Sequence, residues 1–372
     1  MAEMDGGRPT RRVIGMTAKA GEGKRDCTLD ARASRVYKRL INRPPTRNVV
    51  RRELSMMNRR KRGRPFLHPD CVIAWVMALR ATCRNSYRDV VGDAEDRLLA
   101  LGLPPLSHSQ LHHRAQELVE RAMRTTCPTD GRVLGMGWFP PSEGRRRVIV
   151  DSSGFSLNKY GGWIFHKWDL EPVTGWVKLH AAVDAEDMRV LAYVVSDEGM
   201  GDISAFPLLM GLLEQGGHGV AAVLADGAYD KIEHWQDLRS KGIEFVVNIK
   251  SPLLRKYRGG PVPSSGSPQR AACIRRIRKI GLAAWKREVG YNVRWTVERA
   301  FSDLKRRFGD TMRARDRYRM AGDLYWRMLA YNGYKEVRAG LASARPAVTN
   351  YRTQFTGSFR LRQALTTSSG LD

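Results

Sequence analysis

The stretch Arg147-Val-Ile-Val-Asp151 decides the fold, because it is a continuous run of β-branched residues that ends on a carboxylate. A strand that is apolar on both faces is typical of the centre of a sheet covered by helices. Alternating residues from Trp176 to Val183 predict a second strand, and Arg189 to Val195 a third, each antiparallel to its neighbour. We therefore expect the first strand to lie in the middle of a mixed sheet.

Two more strands follow, and a helix precedes each of them. Val220 to Leu224 leads directly towards Asp226, and Glu244 to Ile249 comes after a helix that stops at Gly242. This order predicts an α/β fold with a mixed five-stranded sheet and flanking helices, in which the first and fourth strands are neighbours. Ligands favour the carboxyl ends of such strands, so we expect Asp151 and Asp226 to lie close together.

A third carboxylate lies in the string Tyr291-Asn-Val-Arg294-Trp-Thr-Val-Glu298-Arg-Ala-Phe-Ser-Asp-Leu-Lys305. Tyr291, Glu298 and Lys305 are each seven residues apart, which is close to two helical turns, so the string predicts a helix with all three on one face. Arg294 lies four residues before Glu298 and joins that face. Such a face suits a divalent metal ion at Glu298 and phosphates at Arg294 and Lys305.

Asp151, Asp226 and Glu298 would repel one another unless a cation neutralised them. Their hard oxygen atoms suit Mg²⁺ or Mn²⁺. Two such ions, roughly 3.5–4 Å apart, activate a water molecule or a 3′-hydroxyl and stabilise the leaving oxygen when a phosphodiester is attacked in line. The sequence therefore predicts that these three residues are both the metal ligands and the catalytic residues of a phosphodiester-cleaving site.

The charge of the chain indicates a polyanionic partner. Its 372 residues carry a formal net charge of +26 with a sequence pI of about 10.4, which favours nucleic acid first and an anionic membrane surface second. No run approaches the roughly 18 apolar residues of a spanning helix, and the polar N-terminus has no apolar signal core. Five scattered cysteines without a Cys-x-x-Cys pair argue against disulfides and a zinc ribbon. We expect a cytoplasmic, nucleoid-associated protein with no membrane partner.

The N-terminal part is predicted to bind DNA through helices. Residues 1–35 show no apolar period and are interpreted as a flexible basic arm, and residues 36–130 as an all-α DNA-binding domain. Ser107 and Gln110 predict a capping box on a basic helix that resembles the second helix of a helix-turn-helix, with Arg114 as a candidate DNA contact. Many small helical domains share this pattern, so a purely structural helix stays open.

A basic run, Arg59-Arg-Lys-Arg-Gly-Arg-Pro65, lies inside the helical domain. Its Arg62 and Arg64 suit the minor groove of DNA, and a solvated linker is the equal alternative. The rest of the chain is divided by composition into a linker at 127–144, a catalytic domain at 145–310, C-terminal helices at 311–345 and a disordered tail at 350–372.

Together these residues resemble the DDE transposases of bacterial and archaeal insertion sequences, in the superfamily that holds types four and five. The blocks around Asp151 and Asp226, Val-Asp-Ser-Ser-Gly and Ala-Asp-Gly-Ala-Tyr-Asp, resemble its two aspartate motifs, and the spacing from Tyr291 to Lys305 resembles its glutamate motif. The resemblance covers about residues 145 to 310. It implies a ribonuclease-H-like core, a divalent metal ion and cut-and-join chemistry on transposon ends.

The same resemblance implies roles for single residues and for partners. It assigns the metal ions to the three carboxylates, DNA phosphates to Arg294 and Lys305, and a flanking base or phosphate to Tyr291. The partner would be double-stranded DNA, as terminal inverted repeats and as target, bound by a homodimer on paired ends.

Two other functions stay open. One alternative is a ribonuclease-H-fold nuclease or resolvase that cuts without joining, and the other is a transposase-derived DNA-binding protein without catalysis. Among the remaining polar and aromatic residues, Trp295 is predicted to belong to the core, His180 to be structural, and Asp202 to cap a helix.

Overall fold

The computed structural model describes residues 20–123, 131–141, 143–157, 176–249, 266–312, 314 and 316–342. The α-helices in these ranges are α1 (Ala20–Ile41), α2 (Arg47–Asn58), α3 (Asp70–Cys83), α4 (Tyr87–Ala100), α5 (His108–Ala122), α6 (Asp202–Gln215), α7 (Ile232–Ser240), α8 (Pro268–Ile280), α9 (Leu282–Glu288), α10 (Trp295–Phe308) and α11 (Arg317–Ala342). The strands are β1 (Val133–Trp138), β2 (Arg146–Leu157), β3 (Trp176–Asp184), β4 (Val190–Ser196), β5 (Val220–Ala225), β6 (Glu244–Val247) and β7 (Thr311–Met312).

One mixed sheet contains these strands in the order β1-β4-β3-β2-β5-β6, and β7 pairs with β2. Strand β2 is antiparallel to β3 and parallel to β5, and β5 is parallel to β6. The predicted central position of the first strand is confirmed, since Val148, Ile149 and Val150 are fully buried. Three antiparallel strands with two parallel strands beside the first form a ribonuclease-H-like sheet, so the predicted α/β fold is confirmed.

Strands β1 and β7 extend the sheet beyond the predicted five strands. Strand β1 lies in the region interpreted from its glycines as a linker, and it pairs with β4. Packing explains the glycines: a Cβ on Gly135 would lie 1.8 Å from Met123 Cε, and one on Gly137 would lie 2.8 Å from the Tyr193 hydroxyl. These residues leave room for neighbours in the core, and they do not mark a turn.

Helix α1 corrects the interpretation of residues 1–35 as a flexible arm. Residues 1–19 lie outside the described part of the chain, but the helix begins at Ala20. Its Ala33 and Tyr37 are buried against α11, which follows about 300 residues later in the sequence. Apolar residues are sparse in the first half of α1, whereas Ala33, Val36, Tyr37, Leu40 and Ile41 in its second half follow the helical period. The packing of this second half against α11 stabilises the helix.

The helical region formed by α3, α4 and α5 follows the sequence closely. Ser107 and Gln110 form the predicted capping box at the start of α5. The predicted apolar side of that helix is buried, and its buried residues are Leu111, Ala115, Leu118, Val119 and Ala122. Helix α3 is buried along most of its length, so it forms the centre of this region.

Several polar contacts join the helical region to the sheet region, and two of them start from the end of α3. Asp323 of α11 accepts hydrogen bonds from Arg80 of α3 at 2.8 Å and from Arg327 at 2.7 Å. Arg84, which ends α3 in a left-handed conformation, donates to the backbone oxygens of Arg306 and Arg307 at the end of α10. Helices α10 and α11 therefore contact both regions.

The C-terminal part contains β7 and the single long helix α11 where helices were predicted at 311–345. The tail predicted to be disordered at 350–372 lies outside the described residues. Within the ranges that the structure describes, no helix has both the length and the apolar character needed to cross a membrane.

Candidate active site

The two aspartates lie on neighbouring parallel strands, as predicted, but β2 does not end at Asp151 and continues to Leu157. Asp151 belongs to β2, and Asp226 directly follows β5. The register pairs Ile149 of β2 with Leu224 of β5, so the two acidic residues emerge at the same edge of the sheet. Asp226 also accepts a hydrogen bond from the backbone N–H of Ala228 at 2.8 Å, which fixes the turn after the strand.

Burial raises the pKa of the Asp151 carboxyl. The backbone N–H of Ser152, which donates to Asp151 Oδ1 at 2.8 Å, and the charge of Arg294 act in the opposite direction. The negative charges of Asp226 and Asp202 add to the rise. The Asp151 carboxylate is therefore partly buried and repelled by other carboxylates. A bound cation is most stabilising in such an environment.

Arg294 joins the first and third predicted site residues. Its Nη1 lies 3.1 Å from Asp151 Oδ2, and its Nη2 lies 2.5 Å from Glu298 Oε1. Burial acts against the charge of Arg294, but Tyr291, Asp151 and Glu298 outweigh it and raise the pKa of the guanidinium. The Glu298 side chain is 60% exposed, so this carboxylate is open to the surface on its other side.

Carboxylate oxygens are the ligand type that hard divalent cations prefer, and Asp151 and Glu298 already share one positively charged partner. In this arrangement the shared group is the Arg294 guanidinium. Among the described residues, no set of three or more His, Cys, Asp or Glu side chains is arranged to hold a metal ion. The geometry is thus a guanidinium-bridged pair of carboxylates, with Asp226 close enough to act electrostatically on Asp151.

The structure corrects the role predicted for Tyr291. This residue lies in a short 3₁₀ turn before α10, is 6% exposed, and donates its hydroxyl to the backbone oxygen of Ala225 at 3.1 Å. The side chain also packs against Trp285. A buried phenol with a fixed backbone partner is not available to DNA, so Tyr291 supports the end of β5.

Lys305 keeps the position that the helical spacing predicted, on α10 with Glu298. Its ammonium lies 5.1 Å from the centre of the Phe155 ring, and partial burial lowers its pKa. The predicted contact of Lys305 with a phosphate stays a prediction.

The prediction of a core position for Trp295 is wrong. Its side chain is 51% exposed, and the guanidinium of Arg299 lies 4.8 Å from the ring centre. Both residues line an open groove of about 330 Å³ that also contains Glu298 and Ser302. The first turn of α10 therefore presents an aromatic surface and a carboxylate to the same groove.

The three arginines predicted to contact DNA from the helical region differ in their surroundings. Arg62 and Arg64 are exposed in the segment between α2 and α3, so their predicted DNA contact stays open. Arg114 is only 13% exposed, is ion-paired with Asp70 and Glu117, and lies over the Phe66 ring. The structure thus gives Arg114 a role in packing, because its face of α5 is turned towards the start of α3.

Sequence reasoning missed a polar cluster behind Asp151. Asp202 is the first residue of α6, but Gly201 is the N-cap and the Asp202 side chain is turned towards β3. There, Asp202 Oδ1 lies 2.8 Å from Lys178 Nζ and 3.2 Å from His180 Nδ1. The alternation of Lys178 and His180 on one face of β3 indicated a polar site there. Their partner Asp202 was not recognised, because an acidic residue at the start of a helix is typical of a cap.

The sheet region matches a known protein family. Residues 142–332 match the family model described as the transposase DDE domain. Among solved structures, the chain is similar to the Drosophila P element transposase strand transfer complex, with 12% identity, coverage of 78% of this chain and 70% of that one, and a TM-score of 0.29. It is also similar to the Mos1 strand transfer complex, with 14% identity, coverage of 76% and 80%, and a TM-score of 0.21.

The matched region begins just before β2 and ends within α11, so it contains Asp151, Asp226, Arg294 and Glu298. It spans just over half of the 372 residues. On this match and on the ribonuclease-H-like sheet that carries the acidic residues, the chain belongs to the DDE transposase family.

Proposed function

We propose that this transposase cleaves DNA at the ends of a transposon and joins the freed 3′-hydroxyl to target DNA. The observation that carries the proposal is the shared ion pair at Arg294. Asp151 and Glu298 lie far apart in the sequence, yet they contact the same guanidinium, while Asp226 acts electrostatically on Asp151. Metal-dependent phosphodiester chemistry requires carboxylates from distant segments of the chain at one site. Asp151 and Glu298 support this through Arg294, and Asp226 supports it through its electrostatic effect on Asp151.

Asp151, Asp226 and Glu298 would hold Mg²⁺ or Mn²⁺, as the pair of ions of the two-metal scheme. Bound there, the metal supplies an activated oxygen nucleophile and stabilises the leaving oxygen. Arg294 neutralises Asp151 and Glu298 when the metal is absent. Once released from them, its planar guanidinium suits a DNA phosphate, with Lys305 about three turns further along the chain, on α10.

The proposed partner is double-stranded DNA, as terminal inverted repeats and as target, bound by a homodimer on paired ends in the nucleoid. The net charge of +26 supports a polyanionic partner. Positive charge is available in two places. Arg62 and Arg64 are exposed in the helical region, and Lys305 lies on α10 with the candidate site. Binding should therefore weaken steeply as salt concentration rises.

The test is a strand-cleavage and strand-joining assay with Mg²⁺ on DNA that carries the inverted repeats. Asp151→Asn, Asp226→Asn and Glu298→Gln should each abolish cleavage and leave DNA binding intact. Asp237→Asn is the matched control, because Asp237 is half-exposed on α7 and pairs only with Lys241 in the same helix turn and should leave cleavage unchanged. Wild-type cleavage rates in any of the three site variants would refute the proposal.

The guanidinium bridge also favours a second candidate, a transposase-derived DNA-binding protein that has lost catalysis. Arg294 already satisfies Asp151 and Glu298, and the described residues contain no ready-made set of three metal ligands. Wild-type protein that binds the inverted repeats but gives no cleavage with Mg²⁺ or Mn²⁺ would support this candidate. Cleavage without joined product would instead indicate a nuclease or resolvase.

A further inference from the structure

We propose that helices α8 and α9 hold target DNA by its phosphate backbone, through Arg275 and Lys279 of α8 and Arg287 of α9. We refer to these three side chains as the α8–α9 surface. It is a third region of positive charge, separate from the exposed arginines of the helical region and from the lysine of α10. The inference rests on the proposed function in one respect, because only a joining reaction brings a second duplex to the protein.

The segment that contains both helices is strongly basic. Residues 266–290 include only one acidic residue, Glu288, against seven basic residues, which are Arg270, Arg275, Arg276, Arg278, Lys279, Lys286 and Arg287. The one carboxylate is already used, because Glu288 of α9 lies 3.0 Å from Arg276 of α8. This ion pair joins the two helices, so their remaining positive charges are held close together.

The α8–α9 surface has no acidic neighbours to neutralise it. Arg275, Lys279 and Arg287 are exposed, and among the described residues none of them takes part in an ion pair or a side-chain hydrogen bond. Other basic side chains near the protein surface do find such partners, as Lys241 does with Glu214 at 3.4 Å. Uncompensated charge of one sign on neighbouring side chains is complementary to a polyanion from outside the chain.

Stabilisation of the helices alone does not account for these residues. Lys279 and Arg287 lie in the last turns of their helices, where a positive charge interacts favourably with the helix dipole. Arg275 lies in the middle of α8 and gains little from the dipole. It is also four residues before Lys279, so the two like charges face each other and repel. A phosphate backbone that contacts both side chains would remove this repulsion.

Helix α8 is fixed to the segment that follows Asp226. At the start of the helix, Arg270 donates to both carboxylate oxygens of Asp230, at 2.7 Å each. Trp235 of α7 donates to Asp230 as well, at 3.0 Å. Asp230 is only four residues after Asp226, so the position of α8 is set relative to the second acidic residue of the candidate site.

Helix α9 is fixed to the same part of the sheet. Its Trp285 packs against Tyr291, with 6.0 Å between the ring centres, and Tyr291 donates to the backbone oxygen of Ala225 at the end of β5. Directly after the helix, the backbone oxygen of Val289 accepts from Arg147 of β2 at 2.7 Å. Both helices are therefore held against the two strands that carry the aspartates, and DNA bound to them would lie at a defined place relative to the site.

The α8–α9 surface and the helical region lie at opposite ends of α10. This helix has 14 residues, which corresponds to a length of about 21 Å. Arg84 of the helical region contacts its C-terminal end, whereas α9 and the turn at Tyr291 lead into its first turn, which carries Glu298. Two separate DNA surfaces on either side of one set of carboxylates are what a reaction between two DNA molecules needs.

The composition of the surface favours DNA of any sequence, as a target, over a transposon end. Residues 270–291 contain no Asn, Gln, Ser or Thr, whose side chains serve in the readout of bases. Contacts of Arg and Lys with phosphates hold a duplex in position but carry no sequence information. A transposon end must be recognised by its sequence, whereas a surface of this kind suits a second duplex whose sequence is not fixed.

The experiment compares two triple variants of the full chain. The first is Arg275→Gln with Lys279→Gln and Arg287→Gln. The matched control is Arg32→Gln with Arg35→Gln and Arg39→Gln, which removes the same charge from exposed side chains of α1 that have no ion pair among the described residues. Glutamine is a good helix former, so both triple variants should fold.

Two binding reactions are measured with chelator present. In one, protein that already carries an inverted-repeat duplex captures a labelled duplex of random sequence, over a range of salt concentrations. In the other, the free protein binds the inverted-repeat duplex alone. Strand cleavage and strand joining with Mg²⁺ are then measured on the same proteins.

We expect the first triple variant to reduce the slope of log affinity against log salt concentration by about 3 for the random duplex, because three phosphate contacts are lost. Its affinity for the inverted-repeat duplex should equal that of the control. Its cleavage rate should also equal that of the control, while its yield of joined product falls.

A salt slope for the random duplex that equals the slope of the control would overturn the inference. A selective loss of affinity for the inverted-repeat duplex would also overturn it, because the surface would then hold the transposon end. If the triple variant does not fold, Arg275→Gln against Arg35→Gln decides: a slope reduced by about 1 supports the inference, and equal slopes overturn it. Failure of the proposed function looks different, since wild-type protein then gives no joined product, whatever duplex the α8–α9 surface captures.

Discussion

The hydroxyl of Tyr291 donates a hydrogen bond to the backbone oxygen of Ala225 at 3.1 Å. Ala225 is the last residue of β5 and directly precedes Asp226, whereas Tyr291 lies in the turn that leads into α10. One hydrogen bond thus connects the segments that carry the second and third acidic residues. Burial raises the pKa of Tyr291 to about 12, so the phenol remains a donor at neutral pH.

We predict that Tyr291→Phe lowers the free energy of unfolding by about 0.5–1.5 kcal/mol, the usual net contribution of such a bond. Because it loosens the connection between Asp226 and α10, it should also lower the cleavage rate more than it weakens DNA binding. Denaturant unfolding and single-turnover cleavage measure the two effects. Tyr318→Phe is the control, since Tyr318 is 54% exposed, and equal behaviour of the two variants would contradict the prediction.

The pKa of Asp151 gives a prediction for stability against pH in the metal-free protein. Burial raises this pKa above the ordinary value of 3.8. A carboxyl whose pKa is raised by folding contributes most stability below its unfolded pKa, and that contribution is lost as pH rises through the folded pKa. Asp151→Asn cannot ionise, so its stability relative to wild type should increase as pH rises from about 4 to 7.

Chemical unfolding of wild type and Asp151→Asn at both pH values, with chelator present, measures this difference. A difference in unfolding free energy that is the same at both pH values would show that burial does not disfavour the Asp151 charge. Arg294→Gln removes a charge that opposes the rise, so it should enlarge the pH dependence of a chain that keeps Asp151.

We predict that Arg62 and Arg64 contribute to DNA binding and that Arg114 contributes to stability. Arg62→Ala and Arg64→Ala should each reduce the slope of log affinity against log salt concentration by about 1, if each contacts one phosphate. Their effect on unfolding free energy should be within about 0.5 kcal/mol, because both residues are exposed.

Arg114→Ala should do the opposite. It removes the Arg114 ion pairs with Asp70 and Glu117, which keep only Arg121 and His113 as basic partners among the described residues, and it should lower the unfolding free energy by about 1.5–3 kcal/mol, with an unchanged salt slope. Salt titrations of DNA binding and denaturant unfolding of the three variants check both statements. A reduced salt slope in folded Arg114→Ala would restore the original prediction that Arg114 contacts DNA.

Asp323 should be among the most sensitive residues for stability. It accepts from Arg80 and from Arg327, so Asp323→Ala leaves two guanidinium groups without their carboxylate in a largely buried place. Breaking a buried ion pair in this way costs about 3–5 kcal/mol. Asp237→Ala, at a half-exposed pair, should cost about 1 kcal/mol or less. Similar unfolding free energies for the two variants would argue against a structural role for Asp323.

Much of the fold could be predicted because its signals are local. The apolar run Val148 to Val150 indicated a central strand, and Ser107 with Gln110 indicated a helix start, since both patterns are complete within a few residues. Strand β1 could not be found in this way. Its Gly135 and Gly137 are required by Met123 and Tyr193, and nothing in the neighbouring sequence shows that such partners will be there.

In the candidate site, too, only the relationships within one local segment could be predicted from the sequence. The spacing from Arg294 to Glu298 is a property of one helix, and the two residues do meet. Whether a cation near them is used for DNA or for packing depends on residues from elsewhere in the chain. Arg114 illustrates this, because it forms an ion pair with Asp70 of another helix. Asp202 is a second example, because its side chain is oriented by partners on β3.

The contact of Arg84 with the end of α10 links recognition to chemistry. Arg84 belongs to the helical region, and it holds the last backbone oxygens of the helix whose first turn carries Glu298. Because α10 is a continuous helix, a shift at its C-terminal end also displaces its first turn. If DNA moves the helical region when it binds, Glu298 moves with it, so correct binding of the proposed transposon end would itself adjust the proposed catalytic carboxylate.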